Sequence, residues 1–379
     1  MLYYLSLLED HVSVFRLFQY ITVRTLGAAV TSFCIMLLIA PPLIRFLLRL
    51  NVKEVERDER VEQVDKSNKI GTPTMGGLII LIATSVATLL WALPTSTYVQ
   101  ITLGTFLVMG LIGFIDDYQK IHRRNGLSVS SKFIAQLVWT VLIFAVLWQE
   151  AEMQTRLREF MVPFFKYPLF DLGMIGAFIF MFIVLVGASN AVNLTDGLDG
   201  LAIGCTNSVV GAYILLTYIA GHFNFAQYLQ VPFVAGSGEL CVFCGGLLGA
   251  GFGFLWFNCH PAKVFMGDTG SLSLGGAIAI VAILIKQELL LIIVGGVFVM
   301  EAISVILQTS YFKFTRKKYG EGRRIFRCAP LHHHFEFLEK ARAIEQQRLP
   351  QLVETVIVTR FWILSIIFAL IGIATLKIR

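Results

Sequence analysis

The chain has 379 residues, of which 56% are hydrophobic and only 15% are charged. Soluble domains carry about 25% charged residues, so this composition excludes a soluble enzyme, a disordered protein and a basic nucleic-acid-binding fold. The formal net charge is +6, and its distribution along the chain is more informative than its sum. The composition predicts a polytopic membrane protein that spans the lipid bilayer.

Apolar stretches long enough to cross a bilayer, which takes about 20 residues, follow one another along the chain. Residues 1–21 precede them and are predicted to form an amphipathic lead-in at the membrane surface. The prediction is ten spans with a short eighth one: Thr25–Ile44, two within Ile70–Ile115 divided at Pro94–Thr97, Phe133–Gln149, Leu172–Thr195, Leu201–Ala220, Leu240–Phe257, Ser271–Ile285, Leu289–Phe312 and Phe361–Leu376. Backbone inside a bilayer must satisfy its own hydrogen bonds, so spans of this kind are helices. The predicted fold class is an all-α polytopic membrane protein with one integral membrane domain over residues 1–379.

Lys and Arg are distributed unequally over the predicted loops. The odd-numbered loops hold nineteen of them and the even-numbered loops hold four. Basic residues favour the cytoplasmic side, so the odd loops are predicted to be cytoplasmic and both termini periplasmic. The longest cytoplasmic loop, residues 313–359, is too short to form a large separate domain, although Glu336–Gln347 within it has a helical pattern.

Polar and ionisable residues gather at span ends on the side predicted to be cytoplasmic. A charged group at membrane depth costs about 3 kcal/mol, so each is a functional candidate. Asp116 and Asp117 close the third span, and Asp268 precedes the eighth. The other loops on this side add Asn190, Asn193, Asp196, Asp199, Asn258, Phe265, His332, His333 and His334. The sequence therefore predicts an active site on the cytoplasmic loops.

Several carboxylates on one face repel each other unless a cation lies among them. Mg²⁺ prefers oxygen ligands and is bound by one or two carboxylates together with substrate phosphates. Basic residues and histidines nearby suit a pyrophosphate, whose leaving charge needs stabilising. The ordinary alternatives are a solvated helix end at Asp116–Asp117, a capped helix end at Asn190–Gly200, and an adventitious metal-binding tract at the three histidines.

Six segments of the sequence form long motifs: Lys69–Gly77, Asp116–Asp117, Asn190–Gly200, Phe254–Asn258, Met266–Ser271 and Pro330–Glu336. Together they resemble the phospho-N-acetylmuramoyl-pentapeptide transferases, within the polyprenyl-phosphate N-acetylhexosamine-1-phosphate transferase superfamily. The resemblance runs from about residue 20 to the C-terminus. The triple-histidine loop is similar to this family rather than to its N-acetylglucosamine-transferring relatives.

The resemblance implies a reaction in the bacterial inner (cytoplasmic) membrane. UDP-N-acetylmuramoyl-pentapeptide and undecaprenyl phosphate would give lipid I and UMP, with Mg²⁺ as cofactor, in the first membrane step of peptidoglycan synthesis. No nucleic-acid partner is expected. The resemblance and the long apolar C-terminal span also favour a homodimer.

The resemblance further implies residue roles. Asp268 is similar to the principal Mg²⁺ ligand, with Asp116 and Asp117 beside it, and Asp116 is similar to the proposed base for the lipid phosphate. Because a phosphate monoester is already mostly ionised (second pKa about 6), we expect charge neutralisation to contribute more than proton removal. His332, His333 and His334 match essential loop residues of the family. Contacts to the nucleotide-sugar and its phosphates, including stacking of Phe265 on uracil, are expected from Lys69, Thr74, Lys132, Asn190, Asn193, Asp196, Asp199, Asn258 and Phe265.

Two departures and two alternatives remain open. The segment Arg57–Arg60 differs from the family pattern, which leaves basic contacts from that loop other than Lys69 in doubt, and Leu338–Val356 is longer than expected and has no assigned role.

One alternative is a UDP-GlcNAc:undecaprenyl-phosphate GlcNAc-1-phosphate transferase; the other is a membrane transporter. Transporters place polar residues near the bilayer midplane, where this sequence has Glu301 and Gln308, for which helix–helix contacts are favoured.

Overall fold

The computed structural model describes residues 1–49, 71–123, 125–345 and 353–378. Within these ranges, two short 3-10 helices, Leu2–Leu8 and Ser13–Gln19, precede a series of α-helices. These are α1 (Ile21–Arg49), α2 (Gly77–Trp91), α3 (Thr97–Arg123), α4 (Val129–Trp148), α5 (Ala151–Arg158), α6 (Gly173–Thr195), α7 (Leu201–Gly221), α8 (Phe223–Leu229), α9 (Glu239–Asn258), α10 (Gly267–Leu284), α11 (Leu290–Val294), α12 (Gly296–Tyr319), α13 (Leu331–Glu345) and α14 (Val353–Thr375).

The prediction of an all-α polytopic membrane protein is confirmed. Nine of the described helices are long and apolar enough to cross a membrane, and α2 is a shorter apolar helix of 15 residues. Each corresponds to one of the ten predicted spans. In the described ranges the only β-type pairing is an isolated bridge between Glu159 and Asp171.

Several predicted boundaries were wrong, and at the end of α3 and the start of α14 this is because a polar side chain finds a partner that the sequence does not reveal. α3 continues through Asp116 and Asp117 to Arg123, since both carboxylates are paired inside the protein. The predicted ninth span is two helices, α11 and α12, divided at Gly295.

The predicted loop 313–359 is also shorter than expected. α12 runs on to Tyr319, and α14 begins at Val353, because the carboxylate of Glu354 is accommodated by the loop that precedes α7. The helix expected from the pattern over Glu336–Gln347 begins earlier, at Leu331, and is described to Glu345, so that all three histidines lie in its first turn.

A largely buried ion pair joins the start of α1 to the start of α9. The guanidinium of Arg24 in α1 binds both carboxylate oxygens of Glu239 at the start of α9, at 2.8 and 2.6 Å. The same carboxylate accepts the backbone N–H of Leu93 at 2.9 Å. The N-terminal amine of Met1 donates to the backbone oxygens of Leu89 and Leu90, so the lead-in is fixed to the end of α2.

α10 lies in the middle of the bundle. It packs against α3 and α6 and also touches α2 and α7. Every residue from Thr269 to Leu284 is buried, which is possible because these residues are apolar or small. Its first turn carries Asp268, so the packing of the bundle fixes the position of that carboxylate.

Candidate active site

Three aspartates form a cluster, here called the α3–α10 cluster: Asp116, Asp117 and Asp268. One carboxylate oxygen from each lies within 4.8 Å of the others. Asp116 and Asp117 are buried, and the side chain of Asp268 is 14% exposed. The two helices approach closely because Gly113 has no side chain: a Cβ there would lie 2.1 Å from the carbonyl oxygen of Asp268.

Two lysines lie between the carboxylates of this cluster. The ammonium of Lys120, one turn after Asp116 in α3, lies 2.5 Å from Asp116 Oδ2 and 2.8 Å from Asp268 Oδ1. The ammonium of Lys132 in α4 lies 2.9 Å from Asp116 Oδ2 and 2.6 Å from Asp268 Oδ2. Since the two lysines are 21–22% exposed, this charge network reaches the surface at the junction of three helices.

Asp117 differs from the other two aspartates because its oxygens bind the start of α10, in addition to the Lys120 ammonium 3.4 Å from its Oδ1. They accept the backbone N–H groups of Asp268 at 3.2 Å and Thr269 at 2.9 Å, and the Thr269 hydroxyl at 2.8 Å. A carboxylate is favoured at a helix N-terminus, where the N–H groups lack helical partners. The remaining lone pairs of these oxygens can still face a cation.

The donor set of the α3–α10 cluster fits a hard divalent cation. It supplies carboxylate oxygens only, which suits Mg²⁺, and one oxygen of each residue falls within the span of a single coordination sphere. Asp268 and Asp116 have their carboxylates bound by lysine ammonium groups, which shows that positive charge is favoured at this point.

Backbone hydrogen bonds join the loop that holds Thr74 to the loop that holds Phe265. Phe265 N–H donates to the Pro73 oxygen and Gly76 N–H donates to the Phe265 oxygen, both at 2.8 Å. A Cβ at Gly267 would lie 2.6 Å from Asp117 Oδ2 and 3.1 Å from Thr74 Oγ1, so Thr74 lies beside the cluster. Lys69, predicted to act with them, lies outside the described residues.

Asp199, His260 and Glu354 form a second group, here called the Asp199 cluster. Asp199 Oδ2 lies 3.0 Å from His260 Nδ1 and accepts the Ala262 N–H at 3.1 Å. Glu354 accepts the Asp199 N–H at 2.8 Å, and its other oxygen lies 3.6 Å from His260 Nδ1. The cluster therefore joins the α6–α7 turn, the α9–α10 loop and the start of α14.

The side chain of Asn258 also makes hydrogen bonds within the protein. Its carbonyl oxygen accepts the Gly200 N–H at 3.0 Å, and its amide donates to the Val264 oxygen at 2.8 Å. Asn190 donates to the Val186 oxygen at 2.8 Å and lies 3.4 Å from Gln136 Oε1. Both side chains were predicted as substrate contacts, which stays a prediction; in the structure Asn258 joins two loops of the site, whereas Asn190 bonds within α6 and to α4.

A short turn that contains Gly197 and Gly200 separates α6 from α7. α6 ends at Thr195 and α7 begins at Leu201, and Gly200 has φ +77°, in the left-handed region that glycine adopts most readily. Asn193 lies in the last turn of α6 and Asp196 directly follows it, both partly exposed. A Cβ at Gly275 in α10 would lie 2.6 Å from the Ala188 oxygen in α6, so the end of α6 lies beside the start of α10, which carries Asp268.

The three histidines lie in the first turn of α13 and point in different directions. His332 is buried against Glu301 of α12, whose Oε1 accepts its backbone N–H at 3.1 Å. His333 Nδ1 lies 2.9 Å from Glu336 Oε2. His334 Nδ1 accepts the Arg327 N–H at 3.3 Å. The three side chains therefore have three different partners, on α12, on α13 itself and on the segment before α13.

The electrostatics of α13 follow from these contacts. Burial opposes ionisation of Glu336, but the hydrogen bond to His333 and the charge of Lys340, 3.0 Å away, outweigh it and lower the pKa of Glu336 to about 2. Burial lowers the pKa of His332, against the effect of Glu301. Burial and the neighbouring Arg327 lower the pKa of His334.

Four residues of the site were missed by the sequence analysis: Lys120, His260, Glu301 as a partner of His332, and Glu354. Lys120 had a usable signal, because it follows Asp116 by four residues on one helix, where side chains meet. Glu354 and His260 had none, since they are distant in sequence from Asp199 and meet it only in the folded chain.

Comparison with known proteins identifies relatives of the whole chain. A sequence model of glycosyl transferase family 4 matches residues 99–286. Over 382 residues the chain is 48% identical to the phospho-N-acetylmuramoyl-pentapeptide-transferase of Syntrophus aciditrophicus (strain SB). The proteins of the same name from Desulfatibacillum aliphaticivorans and Methylacidiphilum infernorum (isolate V4) are 48% and 44% identical. In each case the match covers 100% of both chains.

Proposed function

We propose the details of the reaction from one premise: the chain belongs to the phospho-N-acetylmuramoyl-pentapeptide-transferase family. It is a multi-pass membrane transferase that moves phospho-N-acetylmuramoyl-pentapeptide from a nucleotide-activated donor to a lipid carrier, giving lipid I. The donor in this proposal is UDP-N-acetylmuramoyl-pentapeptide and the acceptor undecaprenyl phosphate, in the bacterial inner membrane. The observation that carries the proposal is the α3–α10 cluster of three aspartates and two lysines at one end of the bundle.

The cofactor in this proposal is Mg²⁺, held by Asp268 and Asp116 with Asp117 beside them. When bound, it would neutralise oxygens of the donor pyrophosphate and of the leaving UMP. The lysines that contact the same carboxylates would remain close enough to bind phosphate oxygens. The supporting observation is the all-carboxylate donor set of the cluster.

The bonds that form and break in the transfer follow from its products. An oxygen of the lipid phosphate forms a bond to the sugar-linked phosphorus, and the bond from that phosphorus to the bridging oxygen breaks, releasing UMP. Asp116 would accept the proton of any lipid phosphate that arrives protonated, while Lys120 and Lys132 balance the charge that builds up on the phosphates. The first task is small near neutral pH, so positioning and charge neutralisation would dominate.

The remaining predicted residues complete the proposed donor site. Thr74 and Phe265 lie beside the cluster, and Phe265 would stack on uracil. Asn193 and Asp196 would contact the donor from the α6–α7 turn, with Asn190, Asp199 and Asn258 supporting them. A homodimer and a cytoplasmic position of the site also belong to the proposal.

Radiolabelled transfer by the purified protein in detergent tests the proposal. Undecaprenyl phosphate is mixed with Mg²⁺ and either UDP-N-acetylmuramoyl-pentapeptide or UDP-GlcNAc, beside an Asp268→Ala control and a sample with excess EDTA. We expect lipid I and UMP from the first donor alone, loss of product with EDTA, and recovery when Mg²⁺ is restored. Product from UDP-GlcNAc alone, or undiminished product in EDTA, would contradict the donor or the cofactor respectively.

A further inference from the structure

Glu301 is a buried carboxylate in a helix long and apolar enough to cross the membrane. An ionisable residue in such a position is costly and is commonly retained for a specific task. Its Oε1 accepts the backbone N–H of His332 at 3.1 Å and lies 3.3 Å from Nδ1 of the same histidine. One carboxylate oxygen therefore faces both the backbone and the ring of the first residue of the histidine motif.

The surroundings of His332 favour one protonation state of its ring. Burial lowers its pKa below that of an ordinary histidine, against the effect of Glu301, and this favours the neutral form. A neutral imidazole carries one N–H, and the polar groups nearest its two nitrogens decide which of them holds it. The Glu301 oxygen 3.3 Å from Nδ1 attracts the proton to that atom by its negative charge. This leaves Nε2, a buried atom without a hydrogen-bond partner among the described residues, as an acceptor.

The acceptor nitrogen faces the turn between α6 and α7. A Cβ added at Gly197 would lie 2.2 Å from His332 Nε2 and 3.1 Å from His333 Nε2. This close approach is open only because residue 197 has no side chain. The turn that it contacts begins with Asp196, which follows α6 directly.

We propose that Glu301 is a positioning residue, which orients His332 and fixes its Nδ1-protonated tautomer so that Nε2 is presented as an acceptor to the α6–α7 turn. The inference rests on the proposed function, because the turn matters as part of the donor site. It follows a recurring arrangement in which a carboxylate sets the tautomer and orientation of a functional histidine. Glu301 itself contacts neither donor nor lipid in this proposal.

Gln308 is a matched control on the same helix. Its Oε1 accepts the N–H groups of Ile325 and Phe326 at 2.9 and 3.0 Å, and its Nε2 donates to the Phe326 oxygen at 3.0 Å. It therefore anchors the chain that leads to α13 through backbone atoms and does not contact a histidine ring. Gln308→Ala measures the effect of loosening this region alone.

The kinetic experiment compares Glu301→Gln, Glu301→Asp and Gln308→Ala with the wild type in the lipid I assay, together with Tm. The amide introduced by Glu301→Gln keeps the shape of the side chain but can donate to Nδ1 and so favour the other tautomer. We expect kcat to fall about 10–100-fold, with little change in KM for the donor or in Tm. Glu301→Asp should recover part of kcat, whereas Gln308→Ala should lower Tm and leave kcat nearly unchanged.

A second measurement does not depend on turnover. Protein labelled with ¹⁵N-histidine, with His332→Asn as the assignment control, reports which nitrogen of His332 carries the proton. We expect Nδ1–H in the wild type and Nε2–H in Glu301→Gln. The inference is overturned if His332 is Nε2-protonated in the wild type, or if Glu301→Gln keeps full kcat or matches Gln308→Ala in both kcat and Tm. A wild type that makes no lipid I, with the expected ¹⁵N result, would instead reject the proposed function.

Discussion

The α3–α10 cluster and the Asp199 cluster lie at the same end of the bundle, and their carboxylates have different partners. Asp116 and Asp268 share two lysine ammonium groups from the edge of the site. Asp199 and Glu354 instead accept backbone N–H groups from the α9–α10 loop and the α6–α7 turn. A mobile ammonium can move aside for another cation, whereas a backbone N–H is fixed, so the first cluster suits a metal and the second suits a clamp between loops.

The largest expected effect is a loss of turnover after a substitution in the α3–α10 cluster. Asp268→Ala removes the carboxylate that both lysines contact, and we expect turnover to fall by about 10³-fold or more. Tm should change little, because the side chain is partly exposed and α10 remains packed. Initial rates of lipid I formation at saturating Mg²⁺ check this, and a rate near wild type would remove Asp268 from the proposed metal site.

A smaller effect is expected within the same cluster. Asp116→Asn keeps the shape and an acceptor for the Leu127 N–H, which Asp116 Oδ1 binds at 2.6 Å, but loses the charge. We expect kcat to fall about 10–100-fold, less than in Asp268→Ala, since proton removal contributes little. Equal losses in the two variants at saturating Mg²⁺ would contradict this ranking.

A substitution in the Asp199 cluster should lower the stability of the fold more than it lowers the rate of turnover. Glu354→Ala leaves the buried Asp199 N–H without its carboxylate acceptor, which costs about 1–3 kcal/mol. We expect a lower Tm and only a modest change in kcat at a temperature where the protein is folded. Glu339→Ala, at a partly exposed carboxylate paired with Arg342 and Arg360, is the matched control; a Tm as low in that variant would argue against the clamp.

The smallest expected effect concerns pH. Because the folded protein lowers the pKa of Glu336 from 4.5 to about 2, this carboxylate stabilises the fold above pH 4.5, and the contribution is lost as the pH falls towards 2. The Tm difference between wild type and Glu336→Gln should therefore shrink from about pH 6 to about pH 3. A difference that stays constant over this range would show that ionised Glu336 does not stabilise α13.

The comparison also explains what the sequence could predict. Apolar runs predicted the spans because burial in lipid depends on composition alone. The predicted end of α3 and the predicted start of α14 were wrong, because Asp117 and Glu354 look like residues that end a helix until their partners are known. Those partners, Thr269 and Asp199, are separated from them by more than 150 residues.

The prediction of the candidate site was uneven for the same reason. The charged residues at the span ends already indicated Asp116, Asp117 and Asp268, the family resemblance added their roles, and the structure brings these three together. The helix–helix contact favoured for Glu301 is present, as a bond to α13, but its histidine partner had no signal in sequence. Contacts between loops depend on how the helices pack, which residue type and spacing do not encode locally.

The bonds from Asp117 to the start of α10 have a consequence for assembly in the bilayer. Three donors on Asp268 and Thr269 converge on one carboxylate, and a slip of α10 by one turn along α3 would move them about 5.4 Å away. Asp117 therefore sets the vertical register of two helices that enter the membrane at different times during synthesis. The neighbouring Asp116 faces the lysines, so one dipeptide both aligns the helices and completes the charge network that this alignment creates.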